Sequence, residues 1–285
     1  MNLLFVALLL LSADDQTTFL NSYRPAFEKL ATAYGRIQLE AIITQYDEKG
    51  QFENSTLARC FLFDDYEQLS LGPIDDQIPT YMMNKKGIAE TFVRTYFRDQ
   101  FYWLTKEVNH RDYEFGGQRK TTITKRHPFD KRIRGEFLPI SAPFGGYGPL
   151  VGEICSLPSF KVVSMQSLDE GKVKVEFEFA LAEKRRNRGH WIFDPSRCWV
   201  LLEQEVRRYP DGEKPDPFAA ITRCTYEAEL VDGVPKLSQV EEWSRELATD
   251  EERQHSVITI LQLEPLNSTR PFGLENFRIA DAPAK

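Results

Sequence analysis

Residues 172–181 read KVKVEFEFAL, apolar and charged residues alternating one for one. A period of two fits a strand, because successive side chains leave a β-strand on opposite faces. Val173, Val175, Phe177, Phe179 and Leu181 share one side, and Lys172, Lys174, Glu176 and Glu178 share the other. One apolar and one charged face is the signature of an antiparallel sheet covered on a single side. The chain around this segment extends the pattern. Asp169-Glu170-Gly171 is a turn before it, and the basic stretch 184–189 reads as the turn after it. Residues 190–193 resume the sheet, Asp194-Pro195-Ser196 breaks it, and 198–209 form a long strand. Pro210-Asp211-Gly212 and Pro215-Asp216-Pro217 mark the next turn, and 219–230, 235–246 and 257–263 supply three more strands. From Phe160 onward the sequence therefore predicts an antiparallel meander, with an extended polar tail over 267–285.

The first half begins differently. Phe19, Leu20, Tyr23, Phe27, Leu30, Ala31 and Tyr34 recur at helical spacing, so 17–34 is a predicted helix with Pro25 near its beginning. After Gly35 the pattern changes to alternation over 36–46, then the turn DEKG, then a returning strand over 57–71 with Phe61 and Phe63 on one face. Residues 72–79 are an acidic, proline-bearing loop, 88–95 fit a strand or a short helix, and 100–108 are a strand containing Trp103. Residues 109–150 are less periodic, punctuated by FGG and FGGYGP, and 150–157 fit a short helix. The expected architecture is α+β: an N-terminal helix packed on a curved antiparallel β-sheet, an incomplete barrel. No linker or shift of composition divides the chain, so 14–285 is expected to be one β-rich domain with a loop-rich elaboration at 109–150. A chain this long buries about three quarters of its unfolded surface and needs no covalent staples.

Residues 3–11 are an unbroken apolar run, followed by Ser12, Ala13 and then Asp14-Asp15. Crossing a bilayer takes about 20 apolar residues, so this run fits the core of a signal peptide with cleavage after Ala13. The expectation is a bacterial protein that is periplasmic or secreted, without a stable membrane anchor. A formal net charge of −7 argues against general binding to nucleic acid.

Cys60, Cys155, Cys198 and Cys224 contain no CxxC and suggest no zinc site. In an exported protein they form either two disulfides or four buried free thiols. Cys198 and Cys224, on two strands flanking a Pro/Gly-rich turn, are the favoured pair. The histidines at 110, 127, 190 and 255 match no metal spacing, and no GxSxG is present. Asp64-Asp65 and Asp75-Asp76 lack the spacing of a calcium loop. No catalytic residue, metal or cofactor is predicted. Two basic clusters, one over 119–134 and one at Lys184, Arg185, Arg186 and Arg188, are either solvated loops or sites for an anionic group. Strand aromatics are either core or the wall of a cavity, and Phe61, Phe63, Trp103, Phe177, Phe179 and Trp191 are the candidates for ligand binding.

Residues 27–34 (FEKLATAY), the strand 37–46, the strand 95–106 (TYFRDQFYWLTK) and 190–195 (HWIFDP) before a long strand together resemble the LolA/LppX-like family of exported bacterial lipoprotein and lipid carriers. The resemblance implies a curved, incomplete barrel closed by helices around an apolar cavity that binds acyl chains without chemistry. Its implied partner is a lipid or lipoprotein. The alternative expectation is a structural or protein-interaction domain whose core is filled by its own side chains.

Overall fold

A computed structural model describes residues 3–63, 66–72, 90–97, 102–109, 120–125, 142–145, 150–182, 185–210 and 214–266. It contains a long helix α1 (Leu3–Tyr34), a short helix α2 (Val151–Cys155) and thirteen strands. The first six are β1 (Arg36–Tyr46), β2 (Phe52–Phe63), β3 (Tyr66–Gly72), β4 (Glu90–Phe97), β5 (Tyr102–Asn109) and β6 (Lys120–Lys125). The other seven are β7 (Lys161–Ser167), β8 (Val173–Ala182), β9 (Arg185–Asp194), β10 (Val200–Tyr209), β11 (Phe218–Val231), β12 (Val234–Glu246) and β13 (Glu252–Pro265). β1–β6 form one antiparallel meander and β7–β13 a second. Pairing of β1 with β13 joins them into a sheet ordered β6-β5-β4-β3-β2-β1-β13-β12-β11-β10-β9-β8-β7. The end strands β6 and β7 do not pair, so the sheet stays open rather than closing into a barrel.

The α+β class and the order of elements follow the sequence reading. Several boundaries are corrected. The helix extends through the apolar run instead of starting at Thr17, which puts Pro25 inside it rather than in its first turn. Pro25 cannot donate to the carbonyl four residues back, and the cost is limited because its side is exposed. The segment read as one strand over 57–71 is two, β2 and β3, paired with Leu57 opposite Gly72. The stretch 109–150 contains strand β6, whose KTTITK sequence is β-branched between terminal lysines. The basic stretch read as a turn belongs mostly to β9. Arg188 stands directly opposite Glu178 on β8, its Nε 3.5 Å from a carboxylate oxygen, and lies over the Tyr209 ring at 5.4 Å. Charges that find opposite charges across a ladder belong in a strand.

α1 sets the shape. Phe19, Tyr23, Leu30 and Tyr34 fall on one stripe and are buried to within 1% of full exclusion. Phe19 and Tyr23 pack with Val162 of β7, Val175 and Phe177 of β8, and Trp191 and Phe193 of β9. Leu30 and Tyr34 pack instead with Ile37 and Leu39 of β1, Val240 of β12 and Leu263 of β13. One helix thus reaches from β7 to β1, eight strands that would span about 34 Å if flat. The distance along the helix axis from Gln16, whose side chain accepts from Val162 N–H, to Tyr34 is only about 27 Å. The sheet therefore curls around the helix, which lies on its concave side. Gly35 ends the helix, since a Cβ there would lie 2.8 Å from the Ala31 carbonyl oxygen. The chain then enters β1 at Arg36 without a loop.

Candidate binding site on the concave face

Cross-strand pairing sorts side chains into rows that share a face. One concave row runs Val175, Trp191, Gln204, Thr222, Glu242, Ser256 from β8 to β13. The next runs Phe177, Gly189, Val206, Ala220, Ser244. A third pairs Phe179, Asn187 and Arg208, with Phe218 beyond Ala220 on β11.

On β8 and β9 these rows are filled. Phe177 stacks on Trp191 with centroids 3.8 Å apart, and Trp191 also stacks on Phe19 at 6.0 Å. Phe193, Phe160 and Tyr23 complete the aromatic cluster. Of the candidates for ligand binding, Phe177, Phe179 and Trp191 are therefore brought together, each buried against its neighbours and the helix. The side chains of Phe61, Phe63 and Trp103 lie outside the described residues.

On β10–β13 the same face becomes polar and then open. Gln204 and Thr222 are buried, and Ser256 donates to Glu242 Oε2 at 2.5 Å. Immediately beyond this row lies a half-enclosed pocket of about 570 Å³. Val206, Phe218 and Ala220 give it apolar walls, and Phe218 keeps 43% of its surface exposed. Arg208, Asp216 and Glu242 bring charge to it. At its rim Ser244 Oγ and His255 Nε2 are 2.7 Å apart in a hydrogen bond. The volume falls within the range of small-molecule sites.

The convex face carries the charges of the same strands. Glu203 accepts from Arg223 and sits 3.0 Å from His190 Nε2, and Arg223 grips both oxygens of Glu252 at 2.9 Å. Arg245 joins Glu252 to Glu205, which Arg207 also contacts at 2.7 Å. Glu205 is only 1% exposed yet fully paired. The His190 hydrogen bond, then the Arg223 guanidinium, hold the Glu203 carboxyl down at about 2 against the opposing effect of burial. Ile221 and Ala219, buried residues of β11, stand opposite Glu205 and Arg245 of this network.

No disulfide joins the four cysteines. Cys198 Sγ donates to Ala26 O at 3.8 Å and Cys224 Sγ to Ala142 O at 3.7 Å, so the favoured pair is not joined. Cys198 lies at φ +60° in the turn before β10, whereas Cys224 sits mid-strand opposite Val240. Burial pushes the Cys155 and Cys224 thiols up to about 12, which keeps them protonated and poorly nucleophilic. Among the described residues no group of three or more His, Cys, Asp or Glu is placed to hold a metal ion, and no helix is long and apolar enough to cross a membrane. The paired aspartates at 64–65 and 75–76, His110 and His127 lie outside the described residues.

No protein family matches the sequence, nor does any curated protein. Among solved structures the chain is similar to one described as an outer membrane lipoprotein-sorting protein domain from Vibrio parahaemolyticus. The TM-score is 0.45 and the identity 9%, over 87% of this chain and 93% of that one. A second, the LG1-3 region of the laminin alpha2 chain, matches at a TM-score of 0.14 and 10% identity over 79% and 54% of the two chains. Neither transfers a functional residue.

Proposed function

We propose that this chain is an exported, non-catalytic binding protein that holds an apolar ligand in the pocket over β10–β13. The observation that carries the reading is an unfilled, apolar-walled volume on the face that the helix otherwise packs solid. An alkyl chain burying about 200 Å² against Val206, Phe218 and Ala220 gains about 5 kcal/mol, before the cost of association. Such a site suits micromolar to millimolar exchange of a lipid or acyl chain, and it needs no cofactor. Phe177, Phe179 and Trp191 then act as the rigid wall behind the site. Residues 1–13 are the leader in this proposal, removed after Ala13. The packing described for α1 starts at Gln16 and Phe19, so it survives that cleavage.

One observation favours a second reading, a protein-interaction or structural domain: the helix-covered core is closed by its own aromatic rings at centroid distances of 3.8 to 6.1 Å. Native mass spectrometry of the chain purified from its own host, followed by solvent extraction, separates the two. A bound mass that extracts as lipid supports the carrier. A bare polypeptide that takes up no added fatty acid, phospholipid or alkyl detergent supports the interaction domain. The same spectrum reports whether residues 1–13 have been removed.

A further inference from the structure

The charges of the pocket differ from those of the rest of the sheet. On the convex face Glu203, Glu205 and Glu252 are each held by arginine at 2.6 to 3.0 Å. In the pocket, Glu242 and Asp216 have no ion-pair partner among the described residues. Glu242 spends one carboxylate oxygen on the Ser256 hydroxyl, which leaves Oε1 as a charged acceptor beside apolar walls. A carboxylate against apolar surface is costly to desolvate unless a cation meets it. Arg208 brings a positive charge to the Phe218 end of the pocket, two rows away, so the negative potential is local to Glu242. An anionic ligand end seated there would be repelled, whereas a cationic end would gain a favourable electrostatic contact.

Resting on the binding role proposed above, we infer that the pocket selects amphiphiles whose polar end is cationic. The apolar tail lies along Val206, Ala220 and Phe218, and the ammonium sits against Glu242. The Ser244–His255 hydrogen bond at the rim supplies polar surface beside the head. Glu242 is the specificity-determining residue.

The test is calorimetric titration of the full chain with three ligands of equal tail length below their micelle concentrations: decyltrimethylammonium, decanoate and decyl maltoside. Decyltrimethylammonium is expected to bind at least about tenfold more tightly than decanoate, a difference of about 1.4 kcal/mol. E242Q keeps an acceptor for Ser256 but removes the charge. It should bring the two ionic ligands to within about threefold of each other. Equal or tighter binding of decanoate by the unsubstituted chain overturns the inference while leaving the binding role intact, as does a preference that E242Q does not alter. Absence of binding by all three ligands overturns both. A thermal melt of E242Q within about 1 °C of the parent shows that any change in selectivity comes from the site and not from misfolding.

Discussion

Tyr34 closes the helix onto the sheet at a place where the sheet's own ladder fails. β11 and β12 pair regularly as far as Thr225–Gln239, then shift register at Tyr226–Leu237 and again at Glu229–Pro235. The Tyr34 hydroxyl donates to Pro235 O at 2.9 Å and accepts from Leu237 N–H at 3.0 Å. Tyr34 is 1% exposed, and burial, its largest influence, raises its pKa, so the hydroxyl stays protonated and can serve as donor and acceptor together. Tyr34→Phe keeps the ring and strands both backbone groups where water does not reach. Leaving a buried polar group unpaired costs about 1–3 kcal/mol. Two such groups, with some relaxation and the relief of no longer burying a hydroxyl, put the loss near 3 kcal/mol. For a chain of this size that lowers Tm by about 6–12 °C. Urea unfolding should show the midpoint falling with the slope unchanged, and hydrogen exchange should show faster opening at Leu237. A change below about 0.5 kcal/mol with Leu237 protection intact would refute the reasoning, because the bulge would then satisfy its own groups.

Three further predictions concern the sheet and the pocket. Gly189→Ala would place a Cβ 1.9 Å from the Glu205 carbonyl oxygen and 3.0 Å from the Phe177 ring. Since the nearer atom is backbone, we expect a loss of about 2–3 kcal/mol or failure to fold, read by the same urea assay. Glu203 has its carboxyl lowered from the ordinary 4.5 to about 2, so its contribution is complete above the unfolded value and disappears as pH falls from about 4.5 to 2. The ceiling is about 3 kcal/mol, less after solvent screening, and Glu203→Gln should flatten the stability profile in that window. Phe218→Ser should weaken binding of decyl maltoside about tenfold while moving Tm by less than about 2 °C, because the ring is 43% exposed and contributes little to the core. A Tm drop comparable with that of Tyr34→Phe would place Phe218 in the core and not at a ligand wall.

The sheet was legible because its strands alternate. Val173, Val175, Phe177 and Phe179 are all buried, as the period of two requires. The strand over 36–46 and the turn at Asp47 were equally plain, the Asp47 carboxylate accepting from the Lys49 and Gln51 amides. The long curl of the sheet was accessible only as a resemblance, since the contacts that impose it join Phe19 to β9 and Tyr34 to β12. The pocket was not legible. Its strands break alternation: VLLEQEVRRY carries a bulge between Leu201 and Glu203 that reverses which residues face inward. With that shift Gln204 and Val206 turn to the concave side and Glu203 and Glu205 to the convex side, an assignment that needs the partner strands. The one available signal was the run of polar residues Thr222, Glu242 and Ser244 at positions that a fully packed face would make apolar. Strand aromatics report proximity to the core, and whether a core has room is a property of the helix laid over it.

The central claim is that an apolar ligand occupies the pocket over β10–β13 and does not enter the aromatic core. Photolabelling with an uncharged alkyl diazirine, followed by peptide mapping, tests it directly. The account predicts adducts concentrated in peptides containing Val206, Phe218 and Ala220, competed away by decyl maltoside and reduced in Phe218→Ser. Adducts at Phe19, Phe177 or Trp191, or uniform labelling that decyl maltoside does not compete, would contradict it.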